Sequence, residues 1–147
     1  MIEDLLQPRH LLIVIVLLGM VIVPAIFYLL TLQTALERCS VESRAASPGT
    51  VWLMLIPLFN LIWNFILVGQ ISRSLRNEFN RRGTQGVEAD PGKSIGLAMC
   101  ILAPCGIIPG IGFLSSIAGF ICWIIYWVKV SGYSRLLLAP AIGSATA

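Results

Sequence analysis

Charge is scarce in this chain of 147 residues: Asp, Glu, Lys and Arg make up 12% of it, against about 25% in an ordinary soluble domain. Hydrophobic residues reach 57%, more than a soluble fold of this size has interior to hold. A soluble enzyme is all but excluded, and so are disorder and coiled coil. Four cysteines are too few for a disulfide-dense secreted scaffold. The single histidine, His10, stands apart from every cysteine, which leaves no ligand set for a metal. None of the seven acidic residues lies inside an apolar run, so no acid–base pair is available there. Gly106-Ile107-Ile108-Pro109-Gly110-Ile111-Gly112 is glycine-rich but lacks a lysine, and reads as a bend rather than a phosphate loop. No catalytic residue, cofactor or metal is expected, and the net charge of +3 calls for no nucleic acid.

What is present is apolar sequence long enough to cross a bilayer. Leu11–Leu32 is uncharged over 22 residues, about 33 Å as a helix against a hydrocarbon core of about 30 Å. Pro24 predicts a kink within it rather than a break. No cleavable signal is expected, because this run exceeds a signal core of about 7–15 residues. A second uncharged run, Val51–Ile71, continues into Ser72–Arg82 as a charged helical extension that Gly83 ends. The third block, Ser94–Val128, holds 35 uncharged residues, too many for one span and few for two. Helix breakers concentrate at Pro104, Gly106, Pro109, Gly110 and Gly112, which predicts a hairpin with arms near 94–108 and 111–128. A re-entrant hairpin is the competing reading, since the first arm is only about 22 Å long. The expected fold is therefore an all-α, four-span membrane protein of one domain, with a loop at 72–93 and a tail at 129–147.

Four crossings place Arg9, Arg73, Arg76, Arg81, Arg82, Lys93, Lys129 and Arg135 on one side, and only Arg38 and Arg44 on the other. The positive-inside rule then puts both termini in the cytoplasm and loop 39–47 outside. Arg73, Arg76, Arg81 and Arg82 are candidate contacts for anionic headgroups of the bilayer. Trp52, and Trp123 with Tyr126 and Trp127, fall at the predicted interfaces, whereas Trp63 lies mid-span.

Polar residues within the apolar runs are the remaining signal. Pro57 removes one hydrogen bond from the second span. Asn60 and Asn64 share a helical face, and Ser74 and Glu78 fall within about 40° of it. This stripe predicts either an interhelical hydrogen-bonded clamp or a polar path or ligand pocket. Gly92, Gly96 and Cys100, and again Ser115 and Gly119, recur at four-residue spacing, which suits close helix packing within the chain or between copies. Cys39 alone falls in the predicted outer loop, as a free thiol or, in an oxidising compartment, an intermolecular disulfide.

The run Leu30-Thr31-Leu32-Gln33, Ala35-Leu36-Glu37-Arg38-Cys39, Arg44, Ser47-Pro48-Gly49, Val51-Trp52-Leu53, Ile56-Pro57-Leu58-Phe59-Asn60 and Trp63, continued by Ser74-Leu75 and Glu78-Phe79, resembles a family of small uncharacterised bacterial membrane proteins. The resemblance covers about the first 80 residues, with a looser match over the hairpin. It implies a bacterial inner-membrane location and transfers no site residue. The function expected on these grounds is that of a non-enzymatic scaffold or accessory subunit, working with a membrane-protein partner or as a homo-oligomer. An oligomeric channel or transporter built on the polar face of span two is the alternative.

Overall fold

The computed structural model describes residues 7–84 and 86–139, with the backbone alone at 57 and 58. Among these residues the fold is all-helical: α1 (Pro8–Arg38), a 3-10 helix (Pro48–Leu55), α2 (Pro57–Arg81), α3 (Lys93–Cys105) and α4 (Gly112–Leu136). Among the described residues, only α1 and α4 are long and apolar enough to cross a membrane. The expected four spans are corrected here: α3 has 13 residues, about 20 Å, and α2 carries Arg73, Arg76, Glu78 and Arg81 within its 25 residues.

The chain divides into two compact units after Leu30. In the first, α1 runs unbroken through Pro24 and leaves every side chain from Leu11 to Leu18 exposed. A run of that kind is long and apolar enough to cross a membrane, and soluble monomers rarely expose contiguous apolar patches of this extent.

In the second unit, the end of α1 leads into loop 39–47, which turns back along α2. Ser40 lies beside Glu78, Ser43 beside Asn77, and Ala45 beside Ser74. The 3-10 helix continues in that direction, and the Trp63 indole N–H donates to Thr50 O (3.0 Å). At Ile56 the chain reverses and α2 begins with Pro57 at its first turn, where the missing N–H costs nothing. The single helical span expected over 51–71 is thus two antiparallel elements, and Pro57 starts a helix instead of interrupting one. Loop 39–47 and the α2 extension also lie at the same end of this unit, not on opposite faces.

The second hairpin joins α3 to α4, and glycines set its closeness. A Cβ on Gly96 would stand 2.5 Å from Val68 Cγ1 and 2.9 Å from Tyr126 Cε2. One on Gly119 would stand 3.4 Å from Leu102 Cβ, and Ser115 Oγ donates to Leu102 O (2.9 Å). The four-residue pattern of small side chains therefore packs helices of this chain against each other. Tyr126, expected at the interface, is a core residue 1% exposed. The bend occupies 106–111, with Pro104 in the last turn of α3 and Gly110 at φ +94°. Its N–H groups are partly paired inside: Gly106 donates to Ala103 O, Ile107 to Pro104 O and Ile108 to Cys105 O, whereas no described hydrogen bond uses the Gly110 or Ile111 N–H. Helix α4 extends to Leu136, so the tail expected from 129 begins later, and residues 140–147 lie outside the described residues.

The polar network and the apolar surface occupy opposite ends of this unit. Leu55, Ile56, Leu61, Ile62, Ile107, Ile108, Ile111 and Phe113 are exposed, whereas the charged contacts cluster around the ends of α1, α2 and α4.

Candidate functional site

The junction of the charged end is Glu78, whose side chain is 4% exposed. Ser40 donates to it twice, from its backbone N–H (2.9 Å) and its hydroxyl (2.7 Å), and Arg82 Nε donates to its other oxygen (2.7 Å). Burial alone would raise this carboxyl, but the Ser40, Arg82 and Ser43 hydrogen bonds outweigh it and hold the group down at about 2. Arg82 also donates to Leu137 O (2.7 Å), Arg81 to the Ser40 hydroxyl (2.6 Å) and Glu42 (3.1 Å), and Arg38 to Ser134 O and Oγ (both 2.8 Å). Three helix ends and one loop are tied together through two carboxylates, Glu78 and Glu42, and three guanidinium groups.

A second cluster holds loop 83–92. Glu88 accepts from Lys129 (2.6 Å), Tyr133 (3.0 Å) and Gly92 N (3.2 Å), and the Lys129 and Gly92 hydrogen bonds hold its carboxyl at about 2. Asp90 pairs with Arg76 (3.1 Å). A cleft of about 250 Å³ between Phe79, Asn80, Thr84 and Val87 lies beside it. Although Glu78 and Glu88 are lowered alike, their worth differs, because Glu88 is 47% exposed and its interactions are screened by water. Glu88→Gln is accordingly expected to cost under about 1 kcal/mol of stability while raising protease cleavage within 84–91, as read by limited proteolysis.

The polar stripe on α2 is not continuous. Ser74 Oγ accepts from Ala45 N and donates to Gln70 O (both 2.8 Å), so Ser74 and Glu78 belong to the charged junction. Asn60 and Asn64 lie deeper, and Leu67, Val68 and Ile71, each 1% exposed, separate the two pairs. The Oδ1 atoms of Asn60 and Asn64 are buried without a hydrogen-bond partner. Asn60→Leu with Asn64→Leu is therefore expected to leave the thermal midpoint in detergent unchanged or raised, because no bond of these oxygens within the chain is lost and two desolvated acceptors disappear.

Of the four arginines read as headgroup contacts, Arg76, Arg81 and Arg82 are engaged within the chain. Arg73 is exposed, and no described hydrogen bond or ion pair uses it. Cys39 is 1% exposed, donates to Ala35 O (3.4 Å), and burial pushes its thiol up to about 11, so an intermolecular disulfide has no accessible sulfur there. All four cysteines are free. Among the described residues, no group of three His, Cys, Asp or Glu side chains could hold a metal. The Ser40–Glu78 and Arg38–Ser134 pairings were illegible in sequence, because they join residues 38 and 96 positions apart. Comparison with protein-family models, curated proteins and solved structures found no match for the chain.

Proposed function

We propose that this protein is a non-enzymatic membrane scaffold or accessory subunit of the bacterial inner membrane, in the small family its 30–80 segment resembles. The observation that carries this reading is the part-exposed pair Asn60 and Asn64 on a face bordered by the exposed Leu61, Ile62, Phe65 and Ile66, although their Oδ1 atoms are themselves buried within the chain. Hydrocarbon cannot satisfy the remainder of an amide at such a surface, so this face suits a partner helix or a second copy. The apolar plug of Leu67, Val68 and Ile71 weighs against a continuous polar path along α2, as the channel reading requires.

The test is the double variant Asn60→Leu, Asn64→Leu, purified from native membranes beside the wild type. Loss of the co-purifying partner or oligomer, with the thermal midpoint kept, supports the scaffold. Retained assembly with altered permeability in liposomes establishes the channel instead. A wild-type monomer with no partner overturns both.

Sidedness follows from the same geometry. In this proposal α1 crosses once, and both hairpins enter from the charged end and return to it. That end holds Arg38, Arg44, Arg73, Arg76, Arg81, Arg82, Lys93, Lys129 and Arg135, nine of the ten basic residues, and the positive-inside rule places it in the cytoplasm. Cysteines introduced at Val41, which is 79% exposed, and at Thr84 are expected to react with an impermeant thiol reagent only after the cells are opened. Labelling of position 41 in intact cells with 84 protected would restore the four-span arrangement. Because α1 crosses once in this proposal, its Pro8 end with Arg9 lies on the opposite side, which replaces the expectation of a cytoplasmic N-terminus; residues 1–6 lie outside the described residues.

A further inference from the structure

The two hairpins have the same apolar depth. From the first residue of α2 at Pro57 to the first charge at Arg73 the helix climbs 16 residues, about 24 Å. From Gly112 at the start of α4 to Lys129 it climbs 17 residues, about 26 Å. The two heights share one reference, because Arg82 donates to Leu137 O, and nine residues below these, Arg73 and Val128 come level.

Both turns are apolar. Leu55, Ile56 and Phe59 are exposed at the first, and Ile107, Ile108, Ile111 and Phe113 at the second. Neither turn carries an Asp, Glu, Lys, Arg, Ser, Thr, Asn or Gln that could reach a far headgroup layer: the segments Val51–Phe59 and Leu102–Leu114 have none. The backbone at both turns is only partly paired. Pro57 and Pro109 have no N–H to leave unpaired, Ile56 donates to Leu53 O, and Ile107, Ile108 and Gly112 bond within the bend, but no described hydrogen bond uses the N–H of Phe59, Gly110 or Ile111, and neither α2 nor α4 starts with a side-chain cap. Hydrocarbon cannot satisfy such groups, so both turns need the far interface.

We infer that the two hairpins just reach across a bilayer core of about 25 Å, so that in a core of about 30 Å they draw the far leaflet inward by about 5 Å. The occupant around both apolar turns is thus the acyl region of a thin bilayer, and the protein thins a thicker one around itself. The inference rests on the proposed entry of both hairpins from the charged end.

The full chain would be reconstituted in phosphatidylcholine with monounsaturated myristoleoyl, oleoyl or erucoyl chains. The thermal midpoint, followed by tryptophan fluorescence, is expected to be highest in the shortest lipid and to fall by about 5 °C or more in the longest. In a second arm, Ile107→Cys with Cys105→Ser and Cys122→Ser is probed with an impermeant thiol reagent from the side opposite Thr84. Labelling is expected in the myristoleoyl bilayer and at least tenfold slower in the erucoyl one. A midpoint that peaks in oleoyl or erucoyl lipid, or labelling equally fast in all three, overturns the inference. Opposite sidedness of cysteines at 41 and 84 would instead remove the entry reading, so the two failures are told apart.

Discussion

Gly112→Ala is expected to destabilise the protein by about 3 kcal/mol, although it adds one methyl group. The added Cβ would lie 2.3 Å from Gly106 O and 3.1 Å from Gly106 C. Those are backbone atoms at the mouth of the bend, and they cannot swing aside as a side chain can. Relief requires α3 and α4 to part where they meet most closely, which also strains the Ser115–Leu102 hydrogen bond. Thermal unfolding in detergent measures the effect. Gly69→Ala and Gly132→Ala are the controls: both sit in helices with nothing within 4 Å of the added atom, and each is expected to gain about 0.5–1 kcal/mol. Equal behaviour of all three variants would show that the bend is not closed at Gly112. The concentration of helix breakers at Pro104, Gly106, Pro109, Gly110 and Gly112 marked the bend in the sequence. Of the bend glycines, Gly110 needs its backbone conformation but has open space around it, whereas Gly106 and Gly112 carry the close approach.

Loss of the Glu78 carboxylate is expected to have an effect of similar size, and one that pH can reproduce. The folded-state value of about 2 lies below the ordinary 4.5, so the carboxylate contributes fully above about pH 4.5. Its contribution fades as pH falls from there toward 2, because the unfolded chain then binds the proton first. The shift corresponds to roughly 3 kcal/mol. Glu78→Ala should cost about 3–5 kcal/mol at neutral pH, since Arg82 and the Ser40 N–H lose their common partner. The variant should also lose part of the acid-dependent fall in stability that the wild type shows between pH 5 and 3. Unfolding midpoints measured across that range, with Glu88→Gln alongside, test the point. An acid limb unchanged in Glu78→Ala would mean that other carboxylates set the acid sensitivity.

Much of the helix inventory could be read from apolar run lengths, and the second hairpin from its concentration of proline and glycine. The first hairpin could not. Val51–Ile71 is uncharged throughout, and an apolar stretch does not reveal that its first five residues are 3-10 and run antiparallel to the rest. Two signals were there to be weighed differently. Pro57 fits the first turn of a helix better than its interior, and Ser47-Pro48 offers a separate helix start ahead of it. The charge count pointed the same way, since moving Arg38 and Arg44 to the side of the other basic residues strengthens the asymmetry. The site was legible as composition only. Ser74 and Glu78 stood out as polar neighbours of Asn60 and Asn64, but whether the four form one stripe depended on how tightly Leu67, Val68 and Ile71 are packed. That is a property of the elements across from α2, which no local pattern encodes.

The return of loop 39–47 along α2 also bears on how the protein is made. In the proposed arrangement, with both hairpins entering from the charged end, none of the hydrophilic stretches 39–47, 72–93 and 129–139 has to be carried through the bilayer. What must enter is apolar sequence folded back on itself, with prolines at the turns where an exposed N–H would resist entry. On that proposal export machinery is needed for α1 alone, and the rest partitions into the membrane from the ribosome's own side once the Glu78 junction has gathered the helix ends.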